Sequence, residues 1–292
     1  MAVILDSKDL NLIDKTLLPE SRVWGYLLQG AKSITASDFV GANQVRINKM
    51  SGFTLANYTR NADNARTTIS LEKEVLKLKH ELWFGYDLDK LDQEENAAYT
   101  VTNVVEEHKR QIEYPKKDAI AIQAMYEAAT AVATESKNVV EETITTANAL
   151  ASYDAAEAYA LTKGISGQRL MFVSGSYYGS LKNADGISRS FTTNEVNLSG
   201  INRKVQTLDG GDALIVPIAD ELLKAADGTY LNYIIVPLTA VAPIEKVNTI
   251  DLIPAEYDDK GYRDKLKGLN YCDAIVFDNA REAIYISKKP VA

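Results

Sequence analysis

From Thr68 to Asp87, apolar and polar residues alternate almost without a break. Leu76, Leu78, His80, Leu82, Phe84 and Tyr86 fall on one side, and Lys77, Lys79, Glu81 and Trp83 on the other. A period of two marks a strand with one covered face. An earlier run, Val45 and Ile47 followed by Phe53 and Leu55, can pair with it. Asn61-Ala62-Asp63-Asn64 supplies turn residues between the two. About 20 extended residues at ~3.3 Å each span about 65 Å. A compact chain of this size is about 50 Å across, for a radius of gyration near ~19 Å. The ribbon therefore either bends sharply or leaves the body to be covered by something else, and a neighbouring copy is the expected cover.

The pattern then changes to a helical period. Ala97, Val101, Val104, Val105, His108 and Ile112 share one face, predicting a helix from about Ala97 to Glu113. Asp92, Glu94 and Glu95 precede it and Lys109 and Arg110 lie near its end, as a helix dipole favours. Its stripe is expected to pack against strands near Ile275 and Ile284. Pro115 disfavours helix at Tyr114 and suits the first turn of a second helix, which carries Ile122, Met125, Ala129 and Val132 on one face. A third helical pattern runs from Asn138 to about Thr162 and stops at Gly164-Ile165-Ser166-Gly167. Beyond it the chain reads as strands: Leu170–Ser174, Val205–Leu208, Ala213–Ile218, Tyr233–Pro237, Val247–Ile253, Ala274–Phe277 and Ala283–Ser287. Residues 1 to about 40 read as an arm, interrupted by Pro19 and punctuated by Gly25, Gly30 and Gly41. Such a segment needs a partner surface to order.

Composition narrows the class. With 292 residues and 46% hydrophobic content the chain can bury a sizeable core. No apolar run of about 18 residues exists to span a membrane, and Met1 to Asp6 lack the basic start of a signal peptide. The single Cys272 excludes an intrachain disulfide and fits a reducing compartment. A net charge of -8 argues against gripping nucleic acid over most of the surface.

Candidate chemistry is sparse. The two histidines, His80 and His108, each lie on the apolar face of their element and read as packed or interfacial. Asp87-x-Asp89-x-x-Asp92 is superficially like a calcium loop but lacks its glycine and closing glutamate. Gly164-Ile165-Ser166-Gly167 follows a helix, whereas a nucleophile elbow follows a strand. Cys272 has no histidine nearby in sequence and reads as a buried thiol. No catalytic, metal-binding or cofactor-binding residue is expected, and no enzyme activity.

The order of arm, ribbon, acidic turn, long helix and mixed remainder resembles the major capsid proteins of tailed bacteriophages, which share the Hong Kong 97-type fold. Phe39-x-Gly41-Ala42-x-x-Val45-x-Ile47 is similar to the entry of that family's extended loop. Phe53-x-Leu55-x-x-Tyr58-x-Arg60 is similar to the loop tip, with Phe53 and Asn57 departing from the usual Gly-Leu-x-Asp-Tyr-x-Arg. Leu82-x-Phe84-x-Tyr86-Asp87-x-Asp89-x-x-Asp92-x-Glu94 resembles the return strand and acidic entry to the spine helix, and Ile112-x-Tyr114-Pro115-x-x-Asp118-Ala119 its end. Ala240-Val241 with Lys246, and Tyr262-Arg263 with Asp273-Ala274-x-Val276, resemble the C-terminal return strands.

The resemblance implies an α+β fold with an N-terminal arm (1–39), an extended loop (40–88), a peripheral domain with the spine helix (89–135), an axial domain (136–234) and peripheral return strands (235–292). It implies pentamers and hexamers closing an icosahedral shell around double-stranded DNA. Portal, scaffolding or decoration proteins are the further partners, in a virion made in the host cytoplasm. A removable scaffolding domain at the N-terminus is not expected. Lys49, Lys73, Lys77 and Lys79 match no cross-linking position. Rival readings are an encapsulin shell with protein cargo, a carboxylate-dependent metal enzyme, and a tail or adhesin protein.

Charge suggests how copies meet. Between Val45 and Glu81 the ribbon is net basic by three, with seven Lys and Arg against four Asp and Glu. Asp87 to Glu95 holds five carboxylates and only Lys90. Ribbon on acidic segment is the expected contact, with Arg46, Lys49, Phe53, Tyr58, Arg60, Lys77, Lys79, Asp87, Asp89, Asp92 and Glu94 as inter-subunit residues.

Overall fold

The computed structural model describes residues 22–30, 44–96, 99–132, 137–184, 207–208 and 212–290. The predicted pairing is present: β1 (Gln44–Ser51) runs antiparallel to β2 (Ser70–Lys77), from Gln44 opposite Lys77 to Ser51 opposite Ser70. The predicted single long strand is not. It breaks after β2, and β3 (His80–Asp89) enters a different, three-stranded sheet beside β10 (Arg263–Val276) and β9 (Val241–Ile253). Leu78 and Lys79 bridge the two sheets without losing the alternation, so the period of two continues through a real discontinuity. Phe53 and Leu55 lie beyond the end of β1.

The two helices expected around Pro115 are one helical run. After the short α2 (Lys90–Glu95), α3 (Val101–His108) passes through a π-turn (Lys109–Glu113) straight into α4 (Tyr114–Thr130). Tyr114 has helical backbone angles and its N–H donates to the carbonyl of Lys109, five residues back. In an α-helix the proline ring would strike the carbonyl four residues earlier; the wider π-turn carries that carbonyl aside, so the run bends without ending. The π-turn finishes on buried Glu113, which accepts from Lys117 Nζ at 2.5 Å and from Asn270 Nδ2 at 2.9 Å. Lys117 also reaches Glu245 at 2.7 Å. Burial alone would lower its pKa, but the two carboxylates outweigh it and hold the amine above its usual value.

Ile122, Met125 and Ala129 of α4 face the main core with strands of both larger sheets, as predicted. Val101, Val104 and Val105 do not: α3 buries no residue, and it is α4 that packs on β10. Part of the expected arm also belongs to the body. In α1 (Val23–Gly30), Val23, Trp24 and Leu27 are buried in that core. The helix is anchored by Asp118, whose carboxylate accepts from the N–H groups of Arg22 (3.0 Å) and Trp24 (2.9 Å). Residues 1–21 and 31–43 of the arm and loop entry lie outside the described residues.

The predicted helix from Asn138 starts eleven residues late, because Thr- and Asn-rich sequence prefers side-chain to backbone bonds. Asn148 Oδ1 takes the Thr145 N–H at 2.6 Å and its amide donates to the Thr143 carbonyl. Upstream, Val139–Glu141 forms β4 instead, and α5 spans Ala149–Thr162. Gly164, at φ +68, ends it as expected. A six-stranded sheet follows in the order β4-β11-β8-β5-β7-β6, from β5 (Arg169–Ser174), β6 (Thr207–Leu208), β7 (Ala213–Ile218), β8 (Leu231–Pro237) and β11 (Tyr285–Lys288), with α6 (Gly175–Asn183) after β5. The last return strand thus sits between β4 and β8. A second core under α5 and α6 stacks Tyr177, Tyr233 and Tyr285. Cys272 is buried in the main core, where loss of hydration pushes its thiol up to about 11 and keeps it unreactive.

Candidate assembly interface

The ribbon continues past β1 and β2 into a tip that the other described residues leave uncovered. Met50, Phe53, Leu55, Tyr58, Ile69 and Leu71 are all exposed, Phe53 at 69% and Tyr58 at 79%. The tip is nonetheless organised. Thr54 and Thr67 hydroxyls bond across it, and Asn64 Oδ1 accepts from the Thr59 N–H at 2.8 Å while its amide donates to the Thr59 and Ala62 carbonyls. Asn61 takes the left-handed φ of 59° there, where the turn was predicted. Exposed apolar groups gathered on one shaped loop are the mark of an interaction surface.

The root of the ribbon is held by β10. Lys79 N–H donates to Asp273 Oδ2 at 3.0 Å, and Tyr271 O–H donates to the Leu78 carbonyl at 3.3 Å. Leu78, 4% exposed, packs against Ile244, Tyr271 and Ile275. Sequence reading missed both anchors, since they come from about 190 residues downstream.

The inter-subunit residues predicted from sequence differ in their surroundings. Phe53, Tyr58 and Arg60 stand exposed at the tip, and Lys77 is exposed at the end of β2. Arg46 lies in β1 opposite Val75, with its side chain outside the described residues. Lys49 and Lys79 approach carboxylates of their own chain, Asp278 at 3.9 Å and Glu127 at 3.6 Å. In the acidic segment, Asp92 and Glu94 are exposed. Asp87 meets Arg263 at 3.1 Å, and Asp89 caps α2 by accepting from the Leu91 N–H. Arg263 also contacts Asp258, whose carboxyl Lys265 and Arg263 hold down at about 2. Among the described residues β1 and β2 pair with each other, while of the acidic segment Asp87 pairs with Arg263 of β10.

Two further surfaces were not foreseen. On the outer face of the three-stranded sheet Trp83 is 72% exposed, opposite Leu269. Its indole lies over Gly85, where a Cβ would come within 2.7 Å of the ring. On the inner face Val104 of α3 and Ile112 of the π-turn line a groove of about 450 Å³ with Tyr86, Tyr99 and His108. His108 stacks on Phe84 with ring centroids 3.9 Å apart and hydrogen-bonds the Tyr86 hydroxyl at 2.7 Å. Burial lowers its pKa, so a neutral ring sits there at neutral pH. His108 is a packed group, as its apolar face suggested, while His80 is half-buried on the wall of a cavity at the ribbon root. Among the described residues no cluster of His, Cys, Asp or Glu could hold a metal ion.

No family model matches the sequence, and no curated protein does. Solved structures do. The mature capsid of bacteriophage PhiM1 is similar over 100% of this chain and 93% of its own, at 12% identity and a TM-score of 0.68. The capsid of cyanophage P-SCSP1u covers 99% and 94%, at 10% identity and 0.68. A chain from Mycobacterium phage Che8 covers 96% and 95%, at 13% identity and 0.66. From α1 to β11, therefore, this chain has the fold of phage capsid structures.

Proposed function

We propose that the chain is the major capsid protein of a tailed bacteriophage with the Hong Kong 97-type fold. Copies assemble as pentamers and hexamers into an icosahedral shell that encloses double-stranded DNA without reading its sequence. The observation that carries this reading is the ribbon: an ordered loop whose apolar tip residues find no cover among the described residues. End-to-end likeness to the PhiM1 and P-SCSP1u capsids supports it. Folding and assembly are then one process, because the tip is buried only on another copy. Interfaces of that obligate kind bury about 2,000 Å² or more. A net charge of -8 keeps the wall from gripping packaged DNA.

In this reading residues 40–88 are the extended loop, 89–135 and 235–292 the peripheral domain and 136–234 the axial domain. The tip and Lys77 of one copy meet Asp92 and Glu94 of the next. Portal, scaffolding or decoration proteins complete the head, which is made in the host cytoplasm and ends in the virion.

Electron microscopy of the expressed chain tests the reading. Closed shells with the ribbon seated on a neighbour are expected. Tubes or trimers instead point to a tail protein, and shells filled with a protein cargo to an encapsulin. A chain that stays monomeric, with its ribbon folded on its own body, overturns the reading.

A further inference from the structure

At Leu78 and Lys79 the main chain leaves one sheet for another, and neither residue belongs to a strand. The Leu78 carbonyl and the Lys79 N–H therefore lack the ladder partners that flanking strand residues have, and such groups seldom stay unpaired when enclosed. Side chains supply both bonds: Tyr271 O–H to the Leu78 carbonyl, and Asp273 Oδ2 from the Lys79 N–H. Both donor and acceptor stand where β10 shifts register against β9, between Tyr271 and Cys272. The extra residue there is Lys246 of β9; Tyr271 and Asp273, two apart in β10, lie on the same face of the strand and both reach the joint. Asp273 Oδ1 takes the Ala274 N–H at 2.8 Å, which fixes the carboxylate plane.

Beside the joint lies a cavity of about 550 Å³ between the ribbon root, α4 and β10, with Lys77, His80, Gln123 and Arg281 among its walls. The root is thus held by these two hydrogen bonds, by the Leu78 and Leu76 side chains and by the long Lys79–Glu127 and Lys49–Asp278 pairs, with open space next to it. Two unpaired-strand residues can absorb a large backbone rotation.

We propose that Leu78-Lys79 is the pivot of the ribbon, and that Tyr271 and Asp273 are positioning residues that set the angle at which it leaves the body. The lever makes this angle consequential. Eight residues of β2 at ~3.3 Å extend about 26 Å, so a swing of ~10° at the root displaces the far end by about 5 Å. A displacement of that size carries Phe53 and Tyr58 off any fixed landing site. The effect on shell geometry rests on the ribbon being an inter-subunit arm; the angle itself does not.

Spin labels on Asn57→Cys at the tip and Ala155→Cys on the exposed face of α5 report the angle as a distance distribution. Labelled chains are diluted into unlabelled full-length protein, and buried Cys272 stays unlabelled. A single narrow distribution is expected for the parent. Tyr271→Phe keeps the ring in its packing and removes one bond; it should broaden the distribution by roughly 5 Å, and Asp273→Ala should broaden it further. Asp273→Asn, which retains an acceptor for Lys79, should restore much of the parent width. The unfolding midpoint of Tyr271→Phe should stay close to the parent, which separates positioning from bulk stability. Distributions that superimpose on the parent in both Tyr271→Phe and Asp273→Ala overturn the proposal. So does a parent distribution already as broad as theirs, or broadening that only tracks a lost midpoint. Absence of shells from the parent chain would count against the proposed function and leave this measurement unaffected.

Discussion

Replacing Lys117 with methionine isolates the buried charge cluster at the bend of the long helix. Lys117 is 4% exposed and donates to both Glu113 and Glu245. Glu245 is partly exposed and can turn to water, but Glu113 is buried and would keep only the Asn270 amide. The cost is therefore that of one stranded carboxylate, about 3–5 kcal/mol, against a total stability of about 5–15 kcal/mol for a folded domain. With a urea dependence of about 3 kcal/mol per molar, the midpoint should fall by roughly 1–1.7 M. Tryptophan emission reads it, because Trp24 is buried in the main core while Trp83 is already exposed and serves as the baseline. Adding Glu113→Gln removes the stranded charge and keeps an acceptor for Asn270, so the double variant should recover to within about 1 kcal/mol of the parent. A double variant no more stable than Lys117→Met alone would refute the argument, since the loss would then be packing and not charge.

Three other outcomes follow from the geometry. Asp258 has a depressed pKa of about 2, so its contribution to stability is present above the unfolded carboxylate value near ~3.9 and is lost as pH falls toward 2; Asp258→Asn should flatten that acid limb in a pH series of melting curves, and an unchanged limb counts against it. Val104→Asp should remain soluble, because Val104 lines an open groove, whereas Met125→Asp in the fully buried face of α4 should be insoluble; the reverse pattern, in a simple fractionation, would show the helix is oriented otherwise. Lys77→Glu should slow shell formation in low-salt light scattering and be partly rescued by Asp92→Lys, since exposed pairs act on encounter more than on stability. Lys79 and Asp89 are poor choices for that swap, being occupied with Glu127 and the cap of α2; equal assembly rates for Lys77→Glu and the parent would leave these charges as solvated faces.

The sequence carried much of this fold wherever periodicity reports burial directly. The pairing of β1 with β2, the tip turn at Asn61, the buried face of α4 and the glycine stop of α5 were all readable from spacing. The break at Leu78-Lys79 was not, because it preserves the alternation and its bonding partners lie in β10. The stripe of α3 was misread as core for a different reason: apolar spacing tells that a face is covered or shared, and not by what. Pro115 was read as a helix start because its usual rule assumes α-geometry on both sides. At the candidate interface, residue types identified the exposed tip and the acidic segment, while Trp83 falls on the open polar face as the alternation places it, with nothing in the pattern to mark so large an apolar group there. Asp118, as the anchor of α1, had no local signature at all.

The π-turn gives the long helix two independent orientations. In an α-helix each residue advances about 100° around the axis, so one residue more or fewer reassigns every position beyond it. Between Lys109 and Glu113 a turn closes over five residues where an α-turn closes over four. The α3 half is therefore out of phase with the α4 half by about one residue. Deleting a single residue within 109–113 would restore α-phase without changing any side chain on either half. The wider closure absorbs that residue within one turn, so the shortened helix would keep the same strip of α3 at the groove beside His108 while α4 kept its grip on the core. Wound as a continuous α-helix, the same sequence would turn a different strip of α3 inward, so the closure at 109–113 decides which residues the outer half of the helix displays.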